Sequence, residues 1–140
     1  MGHQPVPGVR VVVGGVPVSD TVVTPEQVEW RLVELGKELD TSHHELVACE
    51  HAYYKAKSEY EVGVARVRLA IGRSYAERGV KVTVQEREDE ALIQVADLLT
   101  ALHTSEAMVR AARANIARVR THIDIARSVG TSVRAALDIT

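Results

Sequence analysis

The fold of this chain is decided by one stretch, Arg78-Gly79-Val80-Lys81-Val82-Thr83-Val84-Gln85-Glu86, which ends one helix and begins another. Gly79 suits the left-handed position after a helix, and Val80 suits the hydrophobic contact of a Schellman motif. Thr83 and Glu86 have the spacing of a capping box, in which each side chain accepts a hydrogen bond from the other residue's backbone. Because so short a connection makes consecutive helices antiparallel, the sequence predicts a helical hairpin.

The first helix begins at Thr24-Pro25-Glu26-Gln27, with Thr24 as N-cap, Pro25 at the first helical position and Gln27 completing a capping box. From Val28 onward, apolar or small residues recur at alternating spacings of four and three. This heptad pattern is typical of a coiled coil. It runs through Val28, Leu32, Leu35, Leu39, Ser42, Leu46, Cys49, Tyr53, Ala56, Tyr60, Gly63, Val67, Ala70 and Ser74. We therefore predict a helix over residues 25–78.

The second helix is expected over residues 84–138 with an unbroken pattern of the same kind. It runs through Ala91, Val95, Leu98, Leu102, Ser105, Val109, Ala112, Ile116, Val119, Ile123, Ala126, Gly130, Val133 and Leu137. Folding about the turn sets Cys49 beside Ala112 and Ala56 beside Ser105, where small side chains let the backbones approach closely. We call the central positions of the two patterns the hairpin seam: Leu39, Leu46, Cys49, Tyr53, Ala56, Tyr60, Gly63, Leu98, Leu102, Val109, Ala112, Ile116, Val119 and Ile123.

Residues 1–23 differ from the rest of the chain and form an N-terminal extension to the hairpin of residues 24–140. Val-rich stretches on both sides of Gly14-Gly15 predict a short β-hairpin, and Pro17 limits its second strand because proline lacks a backbone N–H. The fold class expected is therefore all-α, an antiparallel two-helix coiled coil with a short N-terminal β-hairpin.

Composition and charge exclude several classes of protein. A net charge of −2 and a pI near 6.3 give no general attraction to nucleic acid or anionic lipid. No apolar run is long enough for a membrane helix, and no secretory signal is visible. The single Cys49 excludes an intrachain disulfide and fits a reducing compartment.

Apolar side chains outside the seam predict a second contact surface. Such a stripe is too extensive for a solvated face, so we expect a homodimer or higher homo-oligomer in a four-helix arrangement. A groove for the helix of another protein is the alternative explanation, which the sequence leaves open. The expected oligomer or partner face is Trp30, Leu69, Ile93, Leu99, Ile125 and Val129.

No catalytic, metal or cofactor site is expected. His44 and His51 lie two turns apart on one helix, but the hairpin brings no third histidine to them. Acidic residues at 86–90 are those that the dipole favours in a first helical turn. A possible nucleic-acid contact near the turn comprises Arg66, Arg68, Arg73 and Arg78, although acidic residues of the second helix would neutralise much of its field.

Several segments resemble small coiled-coil proteins encoded by tailed phages and prophages of actinobacteria. The likeness covers most of the chain and follows the β-hairpin through Thr24–Val28, Leu32–Leu39, Ala52–Tyr60 and Ile123–Ala135. It implies a phage product in the host cytoplasm. We expect a non-catalytic interaction or scaffolding protein that acts on other proteins during infection.

Two other roles remain open. Many of these similar proteins are encoded among genes of phage DNA metabolism, so an accessory factor of replication or recombination with weak nucleic-acid contact is one alternative. A virion assembly or structural component is the other.

Overall fold

The structure is a computed structural model that describes residues 12–13, 16–17 and 23–139. It contains β1 (Val12–Val13), β2 (Val16–Pro17), α1 (Pro25–Arg78), α2 (Val84–Gln94) and α3 (Ala96–Asp138). The two strands pair antiparallel, with Val13 opposite Val16. The rest of the expected β-hairpin, including Gly14-Gly15, lies outside the described residues. The described chain is almost wholly helical.

The start of α1 is the capping box expected from the sequence. The Thr24 backbone N–H donates to Gln27 Oε1 over 3.0 Å, and the Gln27 N–H donates to Thr24 Oγ1 over 3.3 Å. These reciprocal bonds satisfy N–H groups that the first turn of a helix leaves without partners. The helix then continues for 54 residues.

The turn between α1 and α2 is the Schellman motif and capping box that its sequence predicts. Gly79 has φ of 65°, its N–H donates to the Ala76 carbonyl, and the Val80 N–H donates to the Tyr75 carbonyl. Thr83 and Glu86 then exchange bonds, with Glu86 N–H to Thr83 Oγ1 at 3.1 Å. Local side-chain chemistry thus stops one helix and starts the next.

The second helix is interrupted at Val95, so the expectation of one unbroken helix over 84–138 is wrong in this detail. Val95 has φ of −105° and ψ of 16°, outside the helical region. Its N–H still donates to the Ala91 carbonyl at 3.1 Å, and the Leu99 N–H donates to the Val95 carbonyl at 3.0 Å. The hydrogen-bond ladder continues past the distortion, so the same face of the helix stays buried on both sides of Val95. The spacing of apolar residues in the sequence therefore does not reveal the distortion.

The described helices belong to two compact units. Unit 1 combines Met1–Ser42 with Ile116–Thr140, and unit 2 is His43–Asn115. In each unit a segment of α1 packs antiparallel against a segment of the second helical stretch, which comprises α2 and α3.

The core of unit 1 is centred on Leu35 and Val119, both of which have no exposed surface. Val28, Ile116 and Val133 are also buried around them. Gly130 permits a close approach, since a Cβ placed there would lie 3.0 Å from Val28 Cγ1. Arg118 donates to Glu38 at 2.8 Å across the two helices, and both side chains are partly exposed.

The core of unit 2 contains buried apolar residues from α1, α2 and α3: Val64, Ile71, Ala91, Val95, Leu102 and Val109. Ser105 is buried among them, and its hydroxyl donates to the Leu102 carbonyl at 2.8 Å. The helices come closest at Gly63, where an added Cβ would lie 2.6 Å from Leu98 Cδ1. Arg113 and Glu50 form an ion pair at 3.5 Å between exposed or half-exposed side chains.

The buried face of α1 keeps the heptad pattern from Val28 to Val67 and leaves it only at the last two positions. Val64 and Ile71 are buried, whereas Ala70 and Ser74, which the heptad pattern places in the seam, are exposed. An undistorted α-helix returns to the same side after five turns. Positions related in this way are all buried or half-buried, in the two series Val28, Leu46, Val64 and Leu35, Tyr53, Ile71. In a straight α-helix, residues seven positions apart are offset by about 20° around the helix axis. Over five heptads these offsets add up to the angle between consecutive residues, so the buried face moves by one residue.

The second helical stretch keeps its heptad pattern for longer. Each predicted position from Ala91 to Val133 is buried or half-buried, and only the last, Leu137, is exposed at 50%. All residues assigned to the hairpin seam, Leu39 to Gly63 and Leu98 to Ile123, are likewise buried or half-buried.

Adding a methyl group at Gly63 and at Gly36 is expected to have opposite effects on stability. Nothing lies within 4 Å of a Cβ at Gly36, so Gly36→Ala raises the free energy of unfolding by about 0.5–1 kcal/mol through helix propensity. Gly63→Ala gains the same propensity but collides with Leu98, and we expect a net loss of about 1 kcal/mol. Urea unfolding followed by circular dichroism measures both. Equal stabilisation by the two substitutions would contradict the close contact at Gly63.

Candidate interaction surfaces

An apolar groove runs between the two helices of unit 1. The groove is open to solvent and has a volume of about 470 Å³. Residues near the start of α1 line one side of the groove, and residues of α3 spaced about one turn apart line the other side. Its lining is Val23, Gln27, Val28, Arg31, His122, Ile125, Ala126 and Val129. We call this surface the unit 1 groove.

The apolar walls of the groove are accessible from outside. Ile125 is 55% exposed, and Val23, Ala126 and Val129 are half-buried, whereas Val28 is buried beneath them. An exposed isoleucine beside half-buried aliphatic side chains leaves apolar area in water that a bound apolar group would remove.

The polar part of the groove is basic or neutral. Arg31 and Gln27 are exposed on the α1 side, and half-buried His122 lies on the α3 side. The lining contains no carboxylate. A ligand that combines apolar and acidic groups therefore complements the groove better than a basic one.

The structure divides the expected oligomer or partner face between the two units. Trp30, Ile125 and Val129 belong to unit 1, and Leu69, Ile93 and Leu99 belong to unit 2. Trp30, Leu69, Ile93 and Ile125 are 55–75% exposed, but Leu99 and Val129 are half-buried. Ile125 and Val129 share the unit 1 groove, while the others do not line it. The six residues are therefore not all equivalent members of one exposed face.

A smaller and more polar pocket of about 280 Å³ lies in unit 2. Its lining is Glu50, Tyr53, Tyr54, Glu106, Val109, Arg110 and Arg113. Tyr53 and Tyr54 meet edge to face with their ring centres 5.2 Å apart, and Arg113 is already paired with Glu50. Its acidic and basic groups neutralise one another, so this pocket has no preferred ligand charge.

The arginines proposed as a nucleic-acid contact all lie on the surface of unit 2. Arg66, Arg68, Arg73 and Arg78 are exposed. Arg78 is held by its own helix, because its guanidinium lies 4.6 Å above the centre of the Tyr75 ring and its Nε donates to the Ser74 carbonyl. Arg66 lies beside Glu59 in the lining of a shallow surface pocket. Glu59 therefore offsets part of the positive charge at Arg66.

Tyr75 connects α1 to α2 near the turn. Its hydroxyl donates a 2.9 Å hydrogen bond to Glu90 Oε2. This bond to a carboxylate, assisted by desolvation, raises the pKa of the Tyr75 hydroxyl above its ordinary value of 10.0. The stability it contributes is thus present below pH 10 and is lost at higher pH as the hydroxyl ionises. The hydrogen bond therefore stabilises the end of the hairpin, and the ionisation of the Tyr75 hydroxyl plays no part near neutral pH.

Histidine, cysteine and acidic side chains do not gather into a metal site anywhere in the described part of the chain. His43, His44 and His51 are exposed on α1, and Cys49 is a half-buried free thiol. His122 was not expected at a candidate site, yet it lines the unit 1 groove with Arg31. Among the described helices, none is long and apolar enough to cross a membrane.

Comparison with protein-family models, with curated proteins and with solved structures finds no match to this chain. The surfaces themselves are therefore the basis for any assignment of function.

Sequence reasoning found part of the groove and missed the rest. It singled out Ile125 and Val129 as apolar residues outside the seam, but it assigned no role to Val23 or Arg31, and to Gln27 only that of completing the capping box. The signal for Val23 was its position directly before the Thr24 cap, where a residue often packs back on the first helical turns. Residue spacing within one helix does not show which polar groups of the other helix border the same groove.

Proposed function

We propose that this chain is a non-catalytic interaction protein that binds other proteins through the unit 1 groove. The observation that carries the proposal is the accessible apolar wall formed by Val23, Ile125, Ala126 and Val129 beside buried Val28. The resemblance to phage coiled-coil proteins supplies the proposed setting, which is the cytoplasm of an infected host cell. In that setting the chain scaffolds or modulates a partner protein.

The proposed partner segment is an amphipathic helix with acidic side chains. A groove between two antiparallel helices accepts a third helix, whose apolar residues at spacings of three and four fill it. Arg31 and His122 border the apolar wall, and no carboxylate of this chain lies in the lining. Acidic residues on the flank of the bound helix would therefore meet favourable charge.

A display library of helical peptides tests this proposal with purified protein. We expect selected peptides to share apolar residues at helical spacing and to carry net negative charge. Ile125→Glu should weaken their binding at least tenfold, about 1.4 kcal/mol, because it places a carboxylate on the apolar wall and beside the acidic flank. Ile125 is 55% exposed, so the substitution leaves the helical core in place.

Thr131→Glu is the matched control, since Thr131 is an exposed residue of α3 outside the groove lining. It adds the same charge to the same helix and should leave peptide affinity within about twofold. Arg31→Glu should weaken acidic peptides selectively. Failure to select any peptide, or equal loss of affinity in the Ile125 and Thr131 variants, would show that the groove is not the binding surface.

A further inference from the structure

A second apolar face lies on α1 within unit 2, and three of its members, Tyr54, Ser58 and Val62, border surface pockets that α1 shares with α3. Its large members are Tyr54, Val62 and Leu69, exposed at 63%, 49% and 63%. The small residues Ser58 and Ala65 lie between them at helical spacing, and Gly72 and Ala76 continue the face beyond Leu69; all four except half-buried Gly72 are exposed. This face, which we call the α1 outer face, is separate from the unit 1 groove.

Residues at equal distances from Ala65 on the α1 outer face are similar in size, except for Tyr54 and Ala76. If a second α1 runs antiparallel with Ala65 opposite its own copy, Val62 lies opposite Leu69 of the second copy. One turn further out, Ser58 meets Gly72, and beyond that Tyr54 meets Ala76. Two aliphatic side chains then meet on each side of the axis, and the small residues Ala65, Ser58 and Gly72 let the two backbones approach closely. The pattern is self-complementary, which is the condition for a two-fold symmetric interface.

The charged residues that border the α1 outer face agree with the same alignment. In the antiparallel pair, Lys55 lies near Glu77 of the second copy, and Glu59 lies near Arg73 of the second copy. On the opposite border, Glu61 lies near Arg68 of the second copy. All six side chains are exposed, and symmetry makes each of these contacts occur twice. Arg66 is the exception, because it approaches its own copy at the two-fold axis.

We propose that the chain forms a homodimer through the α1 outer face, with two α1 helices antiparallel and centred on Ala65. This interface uses residues of unit 2, whereas the proposed function uses residues of unit 1. The contact from Tyr54 to Ala76 extends about 33 Å along the helix. One helix packed on one helix is a small interface, so we expect dissociation in the micromolar range.

Disulfide crosslinking tests the alignment directly. In a Cys49→Ser background, Ala65→Cys places two thiols at the two-fold axis, and we expect most of the protein to become a covalent dimer under copper-phenanthroline oxidation. Ser58→Cys is the matched control on the same face, because its neighbour in the second copy is Gly72 and the two introduced thiols are far apart. Equal crosslinking of the two variants, or none with Ala65→Cys, would overturn the proposal.

Sedimentation equilibrium of the unmodified chain between about 5 and 200 µM tests the interface independently. Leu69→Glu should weaken the dimer at least tenfold, whereas Val47→Glu, at another exposed position of α1 that lies beyond the predicted contact, should not. Glu59→Arg should also weaken it, and adding Arg73→Glu should restore it, because the pair is then reversed on both copies. Arg66→Ala should tighten the dimer by removing the like-charge contact.

A monomer at 200 µM, or a Glu59→Arg defect that Arg73→Glu deepens, would overturn this alignment. The two proposals are distinguishable by experiment. Leu69→Glu should leave peptide binding to the unit 1 groove intact, and Ile125→Glu should leave the dimer intact.

Discussion

Leu35→Ala is expected to lower the free energy of unfolding by about 2–5 kcal/mol. Leu35 has no exposed surface and lies in the core of unit 1 with Val119, which is equally buried. Removing most of its side chain loses the transfer free energy of the deleted carbons and leaves a cavity that packed neighbours fill only in part. For a single small domain this is a large share of the total stability.

Val33→Ala is the matched control for Leu35→Ala. Val33 lies two residues earlier on the same helix and is 57% exposed, so its truncation should change stability by less than about 0.5 kcal/mol. Urea unfolding monitored by helical circular dichroism compares the two with the unmodified chain. Similar midpoints for both variants would show that Leu35 is not in a core.

Ile71→Asp is expected to cost at least about 3 kcal/mol, since it removes a buried aliphatic side chain and buries a carboxylate without a partner. Ile71 is 5% exposed, whereas its neighbour Ala70 is exposed. Ala70→Asp should therefore cost less than about 1 kcal/mol, mostly through helix propensity. The comparison shows whether the buried face has left the heptad pattern near the end of α1, since a strict heptad would bury Ala70 and expose Ile71.

Thermal unfolding of the two variants shows which of the two positions is buried. This holds even if Ile71→Asp does not fold at room temperature, because Ala70→Asp then serves as the folded reference. A larger loss with Ala70→Asp than with Ile71→Asp would place the seam where the heptad pattern puts it. Ile71→Val, with an expected cost of about 0.5–1.5 kcal/mol, extends the series to a conservative change.

Features set by neighbouring residues were predictable from the sequence. The two capping boxes and the Schellman turn each depend on side chains within a few positions, and the structure has all three where their residues stand. The antiparallel arrangement within each unit follows from the shortness of that turn. The near-complete helicity of the described chain followed in the same way from caps and apolar spacing.

Features that depend on small angular or dihedral differences were not predictable. Small residues such as Ala70 and Ser74 fit a heptad as well as a surface, so the pattern could not show that Val64 and Ile71 take over the buried face. The distortion at Val95 affects one residue and leaves the apolar spacing unchanged. The unit 1 groove requires residues from both helices, and spacing along one helix does not determine which of them share a space.

The exposure of Trp30 has a practical consequence for optical experiments. It is the only tryptophan of the chain and is 67% exposed, so its indole is in water before any unfolding occurs. Its emission therefore responds little to denaturation, for which circular dichroism is the better signal. It neighbours Arg31 of the unit 1 groove in sequence, so a fluorescence change on adding a peptide would report contact at that end of α1.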